Sequence, residues 1–123
     1  MTAKAISPKE IEEKGLNKRP VWFVFNETKK EVPGFQSTNS NDQITPVFLE
    51  REDVETFKFI ISKQPFYQDV TLSIQSEIFQ KLFEEIIEDE PEFALQMYGP
   101  DEAREWFKDF QDILRTRPVD NSA

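Results

Sequence analysis

The chain alternates between segments with the apolar spacing of a strand and segments with that of a helix. The run VWFVF at 21–25 has no polar gap, which is typical of a strand buried on both faces. TPVFLEREDVETF at 45–57 changes from an apolar strand into an acidic helix, and DVTLSIQSEIFQKL at 69–82 repeats the change. Strands that alternate with helices predict an α/β fold, with α+β as the alternative.

Capping residues and prolines predict one short N-terminal helix and three longer helices. Ser7 is placed to cap the short helix and Gly15 to end it. Ser76 and Asp101 occupy the cap positions of the last two helices. The predicted helices cover about 8–14, 51–63, 76–90 and 102–116.

Four segments have strand character, and they predict a sheet of about four strands. The sheet is mixed if the first two strands form a hairpin. Pro46 has no N–H for a ladder hydrogen bond, so we expect it at a strand start or a sheet edge. The predicted strands cover about 21–25, 44–49, 69–74 and 93–98.

The length of 123 residues is that of one domain that needs no covalent staple. We expect a single α/β domain at 8–117, with flexible tails at 1–7 and 118–123. The sequence has no signal-peptide core and no apolar run of about 18 residues, which predicts an unsecreted, cytoplasmic protein that does not enter membranes.

The absence of Cys and His excludes disulfides, thiolate or imidazole metal sites and every triad with a histidine base. The three glycines leave no phosphate-cradling loop. From these absences together, we expect no cofactor, no metal and no enzyme activity. Carboxylates are abundant, which keeps a carboxylate-based hydrolase open as a further hypothesis.

The net charge of −9 comes from one part of the chain. Residues 76–112 carry 3 basic and 12 acidic side chains. A field of this sign repels nucleic acid and anionic lipid and favours a basic partner. The alternative is an acidic helix face that only keeps the protein soluble.

The two middle helices hold more apolar side chains than one core-facing stripe needs. Phe59 points about 140° away from Val54, and the apolar arc of the 76–90 helix spans about 180°. The extra side chains either pack under a neighbouring helix or the 28–43 loop, or line a groove for a partner. The candidate partner-binding residues are Phe59, Phe83, Ile87, Glu84 and Glu88.

The last helix needs no such explanation, because its apolar residues form one stripe of about 120°, the width of a core-facing side. The stripe contains Ala103, Trp106, Phe107, Phe110, Ile113 and Leu114.

The segments TPVFLEREDVETF and DVTLSIQSEIFQKL resemble the repeat unit of the Tic22-like family of chloroplast and cyanobacterial proteins, and VWFVFNETKKEVPGF resembles the strand and turn upstream of it. The resemblance covers roughly residues 20–85. It implies chaperone or assembly work without chemistry, with client polypeptides held in apolar grooves. It also implies a cyanobacterial or plastid setting, where carboxysomes and the photosynthetic machinery are the natural client complexes.

These observations lead to one functional hypothesis and two alternatives. We expect a non-enzymatic chaperone, assembly factor or adaptor that binds a basic or apolar client segment in an acid-rimmed groove between the helices at 51–63 and 76–90. The first alternative is a structural homodimer whose spare apolar faces pack together. The second is the carboxylate-based hydrolase, which needs a pocket with two converging acids.

Overall fold

A computed structural model describes residues 5–33, 35–36, 43–89 and 93–117, with the side chains of 35–36, 43, 86–89 and 93–94 left out. The described chain forms one mixed sheet of four longer strands and one strand of two residues, so the predicted α/β class is confirmed. The strands are β1 (Pro20–Asn26), β2 (Phe35–Gln36), β3 (Gln43–Phe48), β4 (Leu72–Ile78) and β5 (Phe93–Tyr98).

Within the described residues, five α-helices and three single 3₁₀ turns connect and cover the strands. The turns lie at Leu16–Lys18, Pro65–Tyr67 and Lys108–Phe110. The helices are α1 (Pro8–Glu13), α2 (Arg51–Ser62), α3 (Phe79–Asp89), α4 (Pro100–Phe107) and α5 (Gln111–Leu114).

The strands lie in the order β4, β1, β3, β5 across the sheet, and β2 shares the β1 side of β3. β1 runs antiparallel to both β3 and β4, whereas β3 and β5 are parallel. The sheet is therefore mixed, as the sequence predicts. Because β3 and β5 are parallel neighbours, the N-termini of α2 and α4, which follow them, meet at one end of the sheet.

The predicted position of Pro46 at a strand start or a sheet edge is wrong, because Pro46 is buried inside β3 between two neighbouring strands. Leu49 donates its N–H to Tyr98 O of β5, so the odd-numbered residues at this end of β3 face β5. The even-numbered residues, which include Pro46, direct their backbone nitrogen to the opposite side of the strand. On that side β2 pairs no further than Ile44 and β1 pairs only at Phe48. Pro46 lies in the gap between them, where no N–H is required.

Helices cover both faces of the sheet, and alternating strand side chains feed two cores. On the first face, Trp22 and Val24 of β1 pack with α2, α4 and α5. On the second face, Val21 and Phe23 pack with α1 and α3. β1 is therefore covered on both faces, as its unbroken apolar run predicts.

The N-terminal segment belongs to the folded domain from residue 5 onwards. Ile6 donates its N–H to Met97 O of β5 (2.8 Å), and the hydroxyl of Ser7 caps α1 by accepting from Glu10 N–H (3.2 Å). The prediction of a flexible tail at 1–7 is therefore wrong for residues 5–7. The tail predicted for 118–123 lies outside the described residues.

Two predicted helix caps are wrong. Ser76 is a strand residue of β4 that pairs with Trp22, and α3 begins three residues later. Asp101 lies inside the first turn of α4, where Gly99 is the N-cap and its N–H is accepted by the Glu102 carboxylate (3.0 Å). The last helix is also divided into α4, a 3₁₀ turn and α5. Its apolar stripe nevertheless packs on the first-face core, as predicted.

Candidate functional site

The spare apolar residues of the two middle helices lie on opposite faces of the sheet. Phe59 belongs to α2 on the first face, and Phe83 belongs to α3 on the second. The sequence predicts one groove bordered by both helices, and that prediction is therefore wrong. The reason is that α3 follows β4 without a connecting residue, and its apolar residues Phe79 and Leu82 enter the second core.

Phe59 is half-buried under two cations of its own chain. The Lys63 Nζ atom lies 5.1 Å from the ring centroid, and the Arg117 guanidinium carbon lies 5.7 Å from it. Arg117 also donates a hydrogen bond to the Thr56 hydroxyl (3.0 Å), which holds it across α2. Each cation–π contact at such a site contributes about 0.5–1 kcal/mol. The ring of Phe59 thus already has partners within the folded chain.

Phe83 is exposed, and acidic side chains adjoin it. Its side chain is 42% exposed, while the preceding Leu82 is only 4% exposed. The ring packs at 6.2 Å, centroid to centroid, on the buried ring of Phe79, which fixes its position on the helix. Glu84 and Glu85 are both exposed. We refer to Phe83, Glu84 and Glu85 as the α3 patch.

The α3 patch contains two of the five predicted partner-binding residues, Phe83 and Glu84. Ile87 and Glu88 belong to α3, but their side chains lie outside the described part of the structure. Phe59 lies elsewhere, as described above.

Among the side chains that the structure describes, two further apolar ones are exposed that sequence analysis missed, Phe66 and Ile78. Phe66 is 63% exposed, and the Lys29 Nζ atom lies 4.2 Å from its ring centroid. Ile78 is 46% exposed at the end of β4. The period-two pattern that continues from Ile74 through Ser76 is the signal that could have placed Ile78 on a strand.

A cleft of about 690 Å³ lies where the N-termini of α2 and α4 meet. Its charged lining consists of Glu50, Glu52 and Asp53 from α2 and its cap, and Arg104 and Lys108 from the α4 side. Asp53 Oδ2 is buried, and no described residue forms a hydrogen bond with it. Burial, and then the charges of Glu52 and Glu50, raise the pKa of Asp53 to about 6, although Arg104 opposes the shift. The cleft therefore holds one shielded carboxyl group.

Asp53 should make the stability of the protein depend on pH. Its pKa rises from 3.8 to about 6 on folding, so its favourable contribution is complete below about pH 3.8 and is lost as the pH rises through 6. The full shift corresponds to about 3 kcal/mol, which solvent screening reduces to about 1 kcal/mol. We therefore expect Asp53→Asn to raise the free energy of unfolding by about 1 kcal/mol at pH 8 and to leave it unchanged near pH 4.

Urea denaturation of both proteins across this pH range provides the measurement. Asp69→Asn is the matched control, because it removes the same charge from an exposed aspartate. A gain at pH 8 that is equal in the two variants contradicts a special role for Asp53.

The cleft gives little support to acid–base chemistry with two carboxyl groups. Glu50 and Glu52 are exposed, so Asp53 alone of its three acids is shielded from water. Among the described residues, no group of three acidic side chains could hold a metal ion. No helix of the described chain is both long and apolar enough to cross a membrane.

Comparison with known proteins relates the chain by fold alone. The sequence matches no protein-family model and no curated protein. The structure is similar to Tic22 from Plasmodium falciparum, with a TM-score of 0.51 and 17% identity, over 88% of this chain and 53% of that chain. The fold is Tic22-like. Anabaena Tic22 (protein transport) gives a TM-score of 0.45 and 19% identity, over 94% of this chain and 56% of that one. This chain spans about half the length of both structures.

Proposed function

We propose that this protein is a non-enzymatic binding module, a chaperone, assembly factor or adaptor, that holds a basic, apolar segment of a client protein on the α3 patch. The observation that carries the proposal is Phe83, an aromatic side chain left exposed on a well-packed helix with acidic neighbours. The Tic22-like fold is in keeping with the client-binding work that the sequence resemblance implies.

Apolar burial and charge have different parts in this mechanism. Covering the exposed part of the Phe83 ring, on the order of 80 Å², contributes about 2 kcal/mol at about 25 cal/mol per Å². The carboxylates of Glu84 and Glu85 attract lysine and arginine of the client, which mainly accelerates encounter. Binding should therefore weaken only modestly as salt rises.

The proposal extends to the setting of the protein. A cytoplasmic factor for a cyanobacterial or plastid complex, such as the carboxysome or the photosynthetic machinery, is the setting that the sequence resemblance implies. We propose that the protein works without enzyme activity or a cofactor and that it binds neither nucleic acid nor membranes.

Phe83→Asp is expected to weaken client binding at least about tenfold, because it places a charge where the apolar anchor makes contact. The probe is a labelled synthetic peptide that alternates leucine or phenylalanine with lysine, and the measurement is fluorescence anisotropy.

Phe66→Asp is the matched control for this measurement, since it makes the same change at another exposed phenylalanine and should leave affinity unchanged. Equal losses in both variants, or no loss in Phe83→Asp, would refute the α3 patch as the binding surface. A peptide in which glutamate replaces lysine should bind more weakly to the unaltered protein, as the acidic neighbours of Phe83 require.

A further inference from the structure

The two edges of the sheet are protected to different degrees. At the β5 edge, the N-terminal segment pairs with the strand at one position, where Ile6 donates its N–H to Met97 O. At the β4 edge, no described residue forms a strand beside it. Gln75, Ser76 and Ile78 of β4 are exposed. β4 also has no proline and no lysine, two of the residue types that commonly protect an edge strand from pairing.

The hydrogen bonds to β1 show which backbone groups of β4 face outwards. Glu27 donates its N–H to Thr71 O (2.8 Å), and Phe79 donates its N–H to Arg19 O (3.0 Å). In an antiparallel ladder, every second residue of a strand directs its N–H and C=O groups to the same neighbouring strand. The odd-numbered residues from 71 to 79 therefore face β1. The even-numbered residues Leu72, Ile74, Ser76 and Ile78 therefore direct their N–H and C=O groups away from the sheet.

We propose that the outer edge of β4 pairs with β4 of a second copy of this chain, which joins two sheets into one across a two-fold axis at Gln75. In this register, Leu72 lies opposite Ile78 of the other copy, and Ile74 lies opposite Ser76. The four outward-facing residues of each copy then exchange about eight backbone hydrogen bonds. The N–H of Ile78 has a competing acceptor in its own chain, the Glu77 carboxylate at 2.9 Å.

The side chains of β4 are complementary to themselves in this register. The exposed side chain of Ile78 meets the half-buried Leu72 of the other copy, which covers apolar surface that is open in one chain. This pairing forms at both ends of the ladder, because the two copies are related by symmetry.

The charges of β4 also permit the pairing. Glu77, the one charged residue of the strand, faces the neutral Ser73 of the other copy. The two Glu77 positions lie about 13 Å apart along the ladder, which exceeds the Debye length of about 8 Å at physiological salt. The nearest facing acids are Glu27 of one copy and Glu77 of the other. Lys30 pairs with Glu27 at 3.5 Å, and Lys81 pairs with Glu77 at 3.6 Å.

Because the net charge is −9, salt should affect this dimer and the binding of a basic client at the same edge in opposite directions. Two copies repel each other at long range, so added salt should strengthen the dimer. A basic client strand on β4 should instead bind more weakly as salt rises. The α3 patch does not include β4, so the dimer and the proposed client binding can fail separately.

Sedimentation over a concentration series that reaches the high micromolar range tests the proposal. The unaltered protein is expected to dimerise, more tightly at high salt. Ser76→Lys should raise the dissociation constant at least about tenfold, because the two new charges lie close together beside the axis. Gln111→Lys makes the same charge change on exposed α5 and should leave the constant unchanged.

Amide hydrogen exchange by NMR identifies the interface itself. In the dimer, the outward N–H groups of Leu72, Ile74 and Ser76 should exchange much more slowly than in the Ser76→Lys monomer. A protein that remains monomeric at every concentration overturns the proposal, as does a dimer in which these amides exchange rapidly. Protection that arises only when a basic, apolar peptide is added to a monomer also overturns it, because the edge would then belong to the client.

Discussion

Replacing Phe48 with alanine is expected to lower the free energy of unfolding by about 4 kcal/mol. Phe48 has no exposed surface, and four aromatic rings of the described residues lie around it at centroid distances of 5.3–6.3 Å. Alanine would remove the ring from the contact between β3, α2 and α4, and the rigid neighbouring rings cannot fill the cavity. Small domains have about 5–15 kcal/mol of stability, so this change removes a large part of it. The rings belong to Phe57, Tyr98, Trp106 and Phe107.

Urea denaturation followed by tryptophan fluorescence measures this loss. Phe66→Ala is the control, because the side chain of Phe66 is largely exposed and its removal should cost about 0.5 kcal/mol or less. Similar losses in the two variants would mean that the first-face core is not organised around Phe48.

Leu82→Asp is expected to unfold the protein or to cost more than about 4 kcal/mol, because it buries a carboxylate without a partner in the second-face core. The adjacent substitution Phe83→Asp should change the free energy of unfolding by about 1 kcal/mol or less, since Phe83 lies at the surface. Circular dichroism at increasing urea concentration compares the two variants.

The comparison of these two adjacent substitutions determines which side of α3 faces the sheet. If Phe83→Asp unfolds the protein as Leu82→Asp does, Phe83 is a core residue and the α3 patch does not exist. If Leu82→Asp is tolerated, α3 does not pack on the sheet as described.

Local patterns in the sequence predicted most of the elements because each depends on residues close in the chain. The unbroken run of β1, the Ser7 cap of α1 and the change of period between β3 and α2 all belong to this kind. The Ser76 cap failed because a local capping signal competed with pairing to β1, a strand more than 40 residues away, and the ladder extends to Ile78.

The candidate site depended on contacts that local patterns do not contain. The sequence identified Phe59 and Phe83 as surplus to the core, but not which face of the sheet each helix covers. Nor could it show that Arg117, far along the chain, lies over Phe59. Asp53 was a different case, because its spacing to Phe57 and Ile60 places it on the buried side of α2. That signal is present in the sequence, within the acidic start of the helix.

Site-specific photo-crosslinking in a native extract tests most directly whether clients bind at the α3 patch. A photoreactive phenylalanine analogue at position 83 is expected to crosslink a defined basic client protein, and the same analogue at position 66 is expected to crosslink none. The adduct at position 83 should disappear when the unlabelled protein is added in excess and persist when its Phe83→Asp variant is added instead. No adduct at position 83, or the same adducts at both positions, would contradict the account.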